Sequence, residues 1–316
     1  MPKPFLSALL LATVITFSPL AVAAEPLKVI ASFSIIGDFA KNVGGDRVEV
    51  TTLVGPDGDA HVYEPKPADA VAMASADVVL VNGLHFEGFL GRLVEASATT
   101  ASVVELTKGV EPLKMGQEHG HGEGETHDTA AEAEEGHDQG GIDPHAFQSI
   151  ANAKIYVKNI ADAFCLADAD GCDAYRANAD AYAMQLTAAE KDLKAAVASI
   201  PEEKRVIITS HDAFGYFEHE YGLTFLAPEG ISTDAEATAA DVAALIRQVR
   251  EDRASAIFIE NIANARLAEQ IASETGLTIG GTLYSDALST ESGAAATYID
   301  LMRHNIATIK GAILGS

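Results

Sequence analysis

The sequence predicts an α/β protein with two pseudo-equivalent lobes, each a four-stranded parallel sheet with flanking helices, joined by one long rigid helix. Short apolar, β-branched runs alternate with segments of helical periodicity, which is typical of a parallel sheet. The same coarse order of runs occurs in both halves of the chain, with a long segment rich in Ala, Leu and Lys between them. A chain of 316 residues is also long enough for two domains, each with its own core.

The first lobe is predicted to span residues 25–171. Its opening segment, LKVIASF, is β-branched and apolar and predicts a buried strand at 27–33. A second strand, VEVTTLV at 48–54, runs into a turn rich in Gly and Asp that ends at His61. The remaining elements of this lobe are predicted as helices at 35–43, 66–76, 86–96 and 149–166, and strands at 76–83 and 101–106.

The composition changes abruptly between residues 115 and 141. This stretch is rich in Gly, Glu and Asp, contains no basic residue and has almost nothing large and apolar. Such a segment cannot recover the entropy of ordering by burial, so we expect a flexible loop. Histidine-rich tracts bind metal weakly, whereas the alternative is a solvated acidic insertion with incidental histidines. The histidines predicted to add weak auxiliary metal binding are His119, His121, His127 and His137.

Cys165 and Cys172 are the only cysteines of the chain and lie in the segment CLADADGC. The residues between them favour a turn, and an exported chain permits disulfides. We therefore predict a disulfide that joins two helices, with two free thiols as the alternative. A metal site at this pair is disfavoured, because six intervening residues exceed the short spacing of thiolate zinc sites.

Residues 172–200 predict one long linker helix that ends before Pro201. At about 1.5 Å per residue this helix spans ~40 Å, which is enough for a strut between two lobes. The second lobe is predicted to span residues 201–316 and repeats the pattern of the first. Its strands are predicted at 205–210, 223–228, 255–260 and 277–283, and its helices at 212–221, 235–252, 265–275 and 294–314.

Residues 1–24 predict a cleaved signal peptide. A basic start precedes a short apolar stretch at 5–17, and an A-x-A signal places the cut after Ala23 or Ala24. The apolar stretch is too short, and too soon followed by polar sequence, for a membrane anchor. Because no cysteine lies near the cut, we expect no lipid anchor and a periplasmic location.

The charge balance narrows the classes of partner. The formal net charge of −25 argues against nucleic acid and against anionic membrane surfaces, which require basic patches. An acidic exported protein is compatible with the handling of cations.

Four side chains that can bind a metal follow the carboxyl ends of predicted strands. Ligands bind at this edge of open α/β sheets, so two facing lobes would bring the four together. Three imidazoles and one carboxylate suit a four-coordinate Zn²⁺, whereas calcium or magnesium requires more oxygen ligands. These candidate ligands are His61, His145, His211 and Asp286.

Three further residues near strand ends are weaker candidates. His85 follows the third strand of the first lobe, and we expect it at the surface or at the rim of the cleft. Glu260 and Asn261 follow the third strand of the second lobe, where we expect them to brace the backbone or to contact a metal ligand.

Four ordered motifs carry a family resemblance: GDAHVYEPKP around His61, DPHAF around His145, SHDAFGYF around His211 and YSDALS around Asp286. Together they resemble the metal-binding lipoprotein/adhesin-type solute-binding proteins of bacterial ABC transporters. The resemblance implies two α/β lobes bridged by a rigid helix, one metal in the cleft and delivery to a membrane permease. Histidine at the third ligand position and the histidine-rich loop resemble the zinc branch, whereas the manganese branch places glutamate there.

The expected function is therefore capture of Zn²⁺ by a periplasmic, monomeric binding protein that is not an enzyme. Its expected partners are the permease and, as a candidate donor, a periplasmic zinc chaperone. The alternatives are a manganese-binding member of the same family, a surface adhesin and a secreted zinc hydrolase. A hydrolase would need an open water position and a general base, but a fourth ligand closes the predicted site and no H-E-x-x-H motif occurs.

Overall fold

Two parallel sheets of four strands form the framework of the protein, so the predicted fold class is confirmed. The computed structural model describes residues 25–114, 141–235 and 237–315. The predicted signal peptide and, apart from Gly141, the histidine-rich segment lie outside these residues. The limits of the predicted domains stay predictions.

The first sheet has the strand order β2-β1-β3-β4. β1 and β3 are the central strands and are almost continuously buried, as their unbroken apolar runs predict for a sheet covered on both faces. The elements are β1 (Leu27–Phe33), α1 (Ser34–Gly44), β2 (Val48–Val54), α2 (Pro67–Ala74), β3 (Val78–Val81), α3 (Leu90–Ser97) and β4 (Ser102–Glu105).

The second sheet repeats this order as β6-β5-β7-β8, and its strands are shorter. The pattern similarity between the two halves of the sequence therefore reflects two sheets of the same topology. The elements are β5 (Val206–Ile208), α6 (Gly215–Tyr221), β6 (Thr224–Leu226), α7 (Ala239–Glu251), β7 (Ile257–Glu260), α8 (Ala265–Thr275), β8 (Ile279–Leu283) and α9 (Tyr298–Leu314).

In chain order, the strands of the two sheets are separated by two helices, α4 (Ile150–Ala167) and α5 (Cys172–Ala198). With 27 residues, α5 is about 40 Å long. It packs against α1 and α4 and also against α9, so it contacts helices from both halves of the chain. Its buried side chains recur every three or four residues along one stripe: Tyr175, Ala179, Tyr182, Leu186, Ala189, Leu193 and Val197.

The larger buried apolar cluster is continuous across the two lobes. The Phe39 ring on α1 lies 4.8 Å from the Tyr298 ring on α9 and 6.2 Å from the Tyr182 ring on α5. The neighbouring Asp38 carboxylate accepts hydrogen bonds from the Tyr298 backbone N–H at 3.0 Å and from the Tyr182 hydroxyl at 3.2 Å. A wide hinge motion between the lobes would break this packed junction.

Four predicted helices begin later than their periodicity suggests. Thr238 and Thr297 each accept a hydrogen bond from the backbone N–H three residues on, so they cap α7 and α9 instead of lying before a longer helix. α6 begins at Gly215 because residues 211–214 form a loop at the end of β5. α3 begins at Leu90 because residues 86–89 are not helical and continue the turn that starts at residues 83–85, which have positive φ values.

A disulfide between Cys165 and Cys172 closes the corner between α4 and α5. Beside it, the Asp168 carboxylate accepts hydrogen bonds from Arg47 Nη2 at 2.6 Å and from the Tyr175 hydroxyl at 2.8 Å. These contacts also hold the corner in place, so the disulfide is one of several restraints on it.

Replacing both cysteines by serine is expected to destabilise the fold by about 2 kcal/mol, from the lost restraint on a short loop in the unfolded chain. Metal affinity is expected to stay unchanged, because the corner lies at the far end of α4 from the residues discussed below. Thermal unfolding and metal titration of Cys165→Ser/Cys172→Ser, beside the parent protein, check both statements. A large loss of metal affinity in the folded double variant would contradict them.

In the described ranges, we find no helix with the length and apolar character that crossing a membrane requires.

Candidate metal centre

Three imidazoles and one carboxylate converge at the carboxyl edges of the two sheets. His61, His211 and Asp286 each follow a strand or a turn after a strand, and His145 lies in the segment that precedes α4. One ligand atom from each lies within 4.8 Å of the others. The four residues are His61, His145, His211 and Asp286. Among the described residues this is the single cluster of three or more His, Cys, Asp or Glu side chains with such geometry.

Four distances within the cluster lie near those expected around one tetrahedral cation. Ligands at ~2.0–2.1 Å from a tetrahedral zinc lie roughly 3.3 Å from one another. Asp286 Oδ2 lies 3.2 Å from His61 Nε2, 3.1 Å from His211 Nε2 and 3.7 Å from His145 Nε2. The Nε2 atoms of His61 and His145 are 3.3 Å apart.

The cluster is shielded from water. His145, His211 and Asp286 are fully buried, and the His61 side chain is 4% exposed. Within the described part of the chain, Asp286 Oδ1 has no hydrogen-bond partner. Buried polar atoms are rarely left unpaired, so Oδ1 is available to a cation that binds both oxygens of Asp286.

Inside the cluster, neighbouring charges shift the pKa values of the side chains in the direction opposite to that of burial. Burial alone would raise the pKa of Asp286, but the imidazoles of His145 and His211 hold it well below its usual range. Burial alone would lower the pKa of His145, but the carboxylates of Asp286 and Asp143 raise it to about 9. The pKa of His211 is raised in the same way by Glu260 and Asp286. The metal-free cluster therefore retains protons that a cation would replace.

His145 is oriented by a carboxylate two residues earlier in the chain. Asp143 Oδ1 lies 2.8 Å from His145 Nδ1 and accepts the backbone N–H of His145 at 2.9 Å. With Nδ1 carrying the proton, the lone pair of Nε2 faces the centre of the cluster. Gly215 makes room for this carboxylate, because a Cβ there would lie 2.5 Å from Asp143 Oδ2.

His211 is oriented by Glu260, which the sequence suggested as a brace. Glu260 Oε2 lies 2.6 Å from His211 Nδ1. Its other oxygen accepts the backbone N–H groups of Ser210 at 2.7 Å and His211 at 2.9 Å. One buried carboxylate thus fixes both the backbone and the ring of His211.

His61 is held differently from the other two histidines. Asp59 Oδ1 accepts its backbone N–H at 2.8 Å, and the Phe86 ring packs edge-on at 4.8 Å from its ring. Among the described residues, no carboxylate lies against its Nδ1 atom. His61 is therefore the least firmly oriented imidazole of the cluster.

Sequence reasoning missed the roles of Asp59, Asp143 and Phe86. A sequence signal was present for Asp59 and Asp143, because each lies two residues before a candidate ligand in an Asp-x-His pattern. Each accepts a hydrogen bond from the backbone N–H of that histidine. His85, by contrast, is exposed at the surface, where the sequence placed it. The four histidines of the acidic segment lie outside the described residues.

Two α/β lobes with parallel sheets enclose a buried cluster of three imidazoles and a carboxylate. This arrangement is typical of one class of protein, the metal-binding solute-binding proteins. The chain belongs to the family described as ZnuA, zinc-uptake complex component A periplasmic, which matches residues 29–312. Members of this family are substrate-binding components of ABC transporters and not enzymes, so the prediction of a non-enzyme is confirmed and the hydrolase alternative is set aside.

Individual relatives carry names with different metals. The chain is 34% identical to the manganese-binding lipoprotein MntA of Halalkalibacterium halodurans, over 90% of this chain and 87% of that protein. It is 33% identical to the iron-binding protein YfeA of Yersinia pestis, over 97% and 96%. The structure of the periplasmic zinc binding protein TroA from Treponema pallidum superposes with a TM-score of 0.80 at 27% identity, covering 92% of this chain and 99% of that one. Family membership thus shows divalent metal binding without fixing the metal.

Proposed function

We propose that the protein captures Zn²⁺ at His61, His145, His211 and Asp286 and delivers it to an ABC-type importer. The observation that carries the proposal is the buried set of three nitrogens and one oxygen that all lie within 4.8 Å of one another. Zinc accepts four such ligands without further coordination, and imidazole suits it better than it suits harder cations.

Manganese is the second candidate, and the relatives favour it at least as strongly, since MntA is named for that metal. Manganese prefers more oxygen ligands and a higher coordination number than this cluster offers through one oxygen of Asp286. The still unpaired Oδ1 atom of Asp286 is a second oxygen that a larger cation could use. The coordination chemistry is our reason for ranking zinc first.

A competition titration tests the choice of metal. Metal-free protein is titrated with Zn²⁺ in the presence of a chelator of known affinity, and the titration is repeated with excess Mn²⁺. We expect one tight Zn²⁺ per chain that Mn²⁺ in large excess does not displace. Displacement by Mn²⁺ at comparable concentration would move the assignment to manganese.

Zinc affinity is expected to fall as the pH falls. Because the pKa of His145 is raised to about 9, at neutral pH its metal-free imidazole carries a proton that zinc must displace. Each displaced proton weakens binding by about tenfold per pH unit below the pKa of its group. Affinities measured at pH 8, 7 and 6 check the slope, and equal affinity at all three would contradict imidazole ligation.

The proposed partners follow from membership in the family. A solute-binding component of an ABC transporter hands its metal to a membrane permease that is driven by an ATPase. A periplasmic zinc chaperone as the donor and a monomeric state remain part of the proposal. Analytical ultracentrifugation of the metal-loaded protein tests the latter.

A periplasmic location is consistent with the description of the family. The expected absence of a lipid anchor is not borne out, because MntA is named a lipoprotein. Mass spectrometry of the mature protein from its native envelope decides between a free and an acylated amino terminus.

A further inference from the structure

The loop that carries His61 is attached to the opposite lobe by three hydrogen bonds. The backbone N–H of Asp57 donates to the Leu288 carbonyl at 2.8 Å. Asn261 Nδ2 donates to Asp57 Oδ1 at 3.0 Å, and the Thr233 hydroxyl donates to Asp59 Oδ2 at 2.6 Å. The loop is therefore fixed by residues 174 to 231 positions later in the chain.

Asp59 joins this attachment directly to His61. One of its oxygens accepts the His61 backbone N–H at 2.8 Å, while the other accepts the Thr233 hydroxyl. The same carboxylate thus sets the backbone position of the histidine and ties it to the second lobe. Charge-assisted hydrogen bonds of this kind are stronger than bonds between neutral groups.

Two of the anchors in the second lobe adjoin the scaffold of other candidate ligands. Asn261 follows Glu260, the carboxylate against His211, and Leu288 lies two residues after Asp286. Asn261 Nδ2 also donates to the Ala287 carbonyl at 3.2 Å. A shift of the His61 loop therefore acts on the same segments that position the ligands of the second lobe.

Of the three histidines, His61 is the one whose movement away from the cluster breaks the fewest restraints. His145 and His211 are held by buried carboxylates on both ring and backbone, whereas in the described ranges His61 has such support only at its backbone. A wide opening of the lobes would break the aromatic junction around Phe39. Movement of the His61 loop breaks three hydrogen bonds and displaces the buried Ala60, but it leaves the aromatic junction around Phe39 intact.

We propose that Asp59 and Thr233 are positioning residues that hold His61 on the metal and set the rate at which the metal leaves. This inference rests on the proposed function, since it presupposes a cation bound at the cluster. Neither residue touches the cation. They act by keeping the His61 loop on the second lobe.

The test uses the full-length mature protein loaded with one Zn²⁺ and mixed with an excess of a chromophoric chelator. Thr233→Val removes the hydroxyl donor while leaving the bond from Asp59 to His61 in place. Thr233→Ser keeps the donor and is the conservative control. Thr100→Val, at an exposed threonine in the turn before β4, is the matched substitution away from the site.

We expect Thr233→Val to release zinc about tenfold faster than the parent protein, the effect of losing one hydrogen bond to a charged group. Thr233→Ser and Thr100→Val are expected to release it at the parent rate. The association rate and the melting temperature of the metal-free protein are expected to stay close to the parent values, which a merely destabilising substitution would not allow. Asp59→Ala, which removes both bonds, is expected to exceed the effect of Thr233→Val.

Equal release rates for Thr233→Val and the parent would overturn the inference, as would equal acceleration by Thr100→Val. If the parent protein binds zinc tightly in these experiments, such a result leaves the proposed function standing. A parent protein that holds neither Zn²⁺ nor Mn²⁺ tightly would overturn the proposed function and the inference together.

Discussion

Replacing His211 by alanine is expected to remove tight zinc binding. The substitution deletes one of four proposed ligands, leaves the buried Glu260 carboxylate without its imidazole partner and removes one of the three imidazoles around Asp286. Structural zinc sites contribute roughly 10–16 kcal/mol over four ligands, so the loss of one ligand weakens binding on the order of a thousandfold. Competition titration at pH 7.5 measures the change.

His85→Ala is the matched control for this variant, because His85 also follows a strand but is exposed. It is expected to bind zinc as the parent does. Circular dichroism establishes that His211→Ala is folded, and Asp286→Asn provides a second ligand variant of nearly unchanged shape. Parental zinc affinity in folded His211→Ala would show that the assigned site is wrong.

Zinc is expected to raise the melting temperature by about 10 °C at pH 7.5. A ligand that binds the native state at a thousand times its Kd adds about 4 kcal/mol of stability, and each kcal/mol shifts the melting temperature of a chain this long by about 2–4 °C. Differential scanning calorimetry of chelator-treated protein, with and without zinc, measures the shift.

The shift should reverse when a chelator is added back, and it should shrink at pH 6 as the imidazoles retain protons. His211→Ala should show little zinc-dependent shift at either pH. A stabilisation that persists in this variant would place the bound zinc elsewhere on the protein.

Much of the fold follows from local pattern. The run LKVIASF predicts β1 with its observed bounds, because a buried parallel strand has a nearly unbroken apolar sequence. The run VEVTTLV predicts β2 with its observed bounds through the alternation of apolar and polar residues, which is typical of a half-exposed edge strand. The candidate cluster follows from topology, since residues placed after strand ends in two similar sheets share one edge. His61, His145, His211 and Asp286 could thus be proposed together although 225 positions separate the first from the last.

The supporting contacts could not be predicted in the same way. Thr233 and Asp59 are 174 residues apart, and neither periodicity nor spacing links them. The start of α3 was missed because the chain still turns at residues 84–89. Leu84 and His85 open this turn with positive φ, at 53° and 64°, a conformation that residues other than glycine rarely adopt. Long-range hydrogen bonds and residues with positive φ arise only in the assembled fold. Here they lie in the segments around the candidate metal ligands.

X-ray absorption spectroscopy at the zinc edge tests the central claim most directly, because it reads the ligands of the bound metal. For protein loaded with one Zn²⁺ we predict four light scatterers at about 2.0–2.2 Å and the outer-shell pattern of three imidazoles. This spectrum should lose one imidazole in His61→Ala. Six light scatterers at longer distance, or a pattern with fewer than three imidazoles in the parent protein, would contradict the site of three histidines and one aspartate.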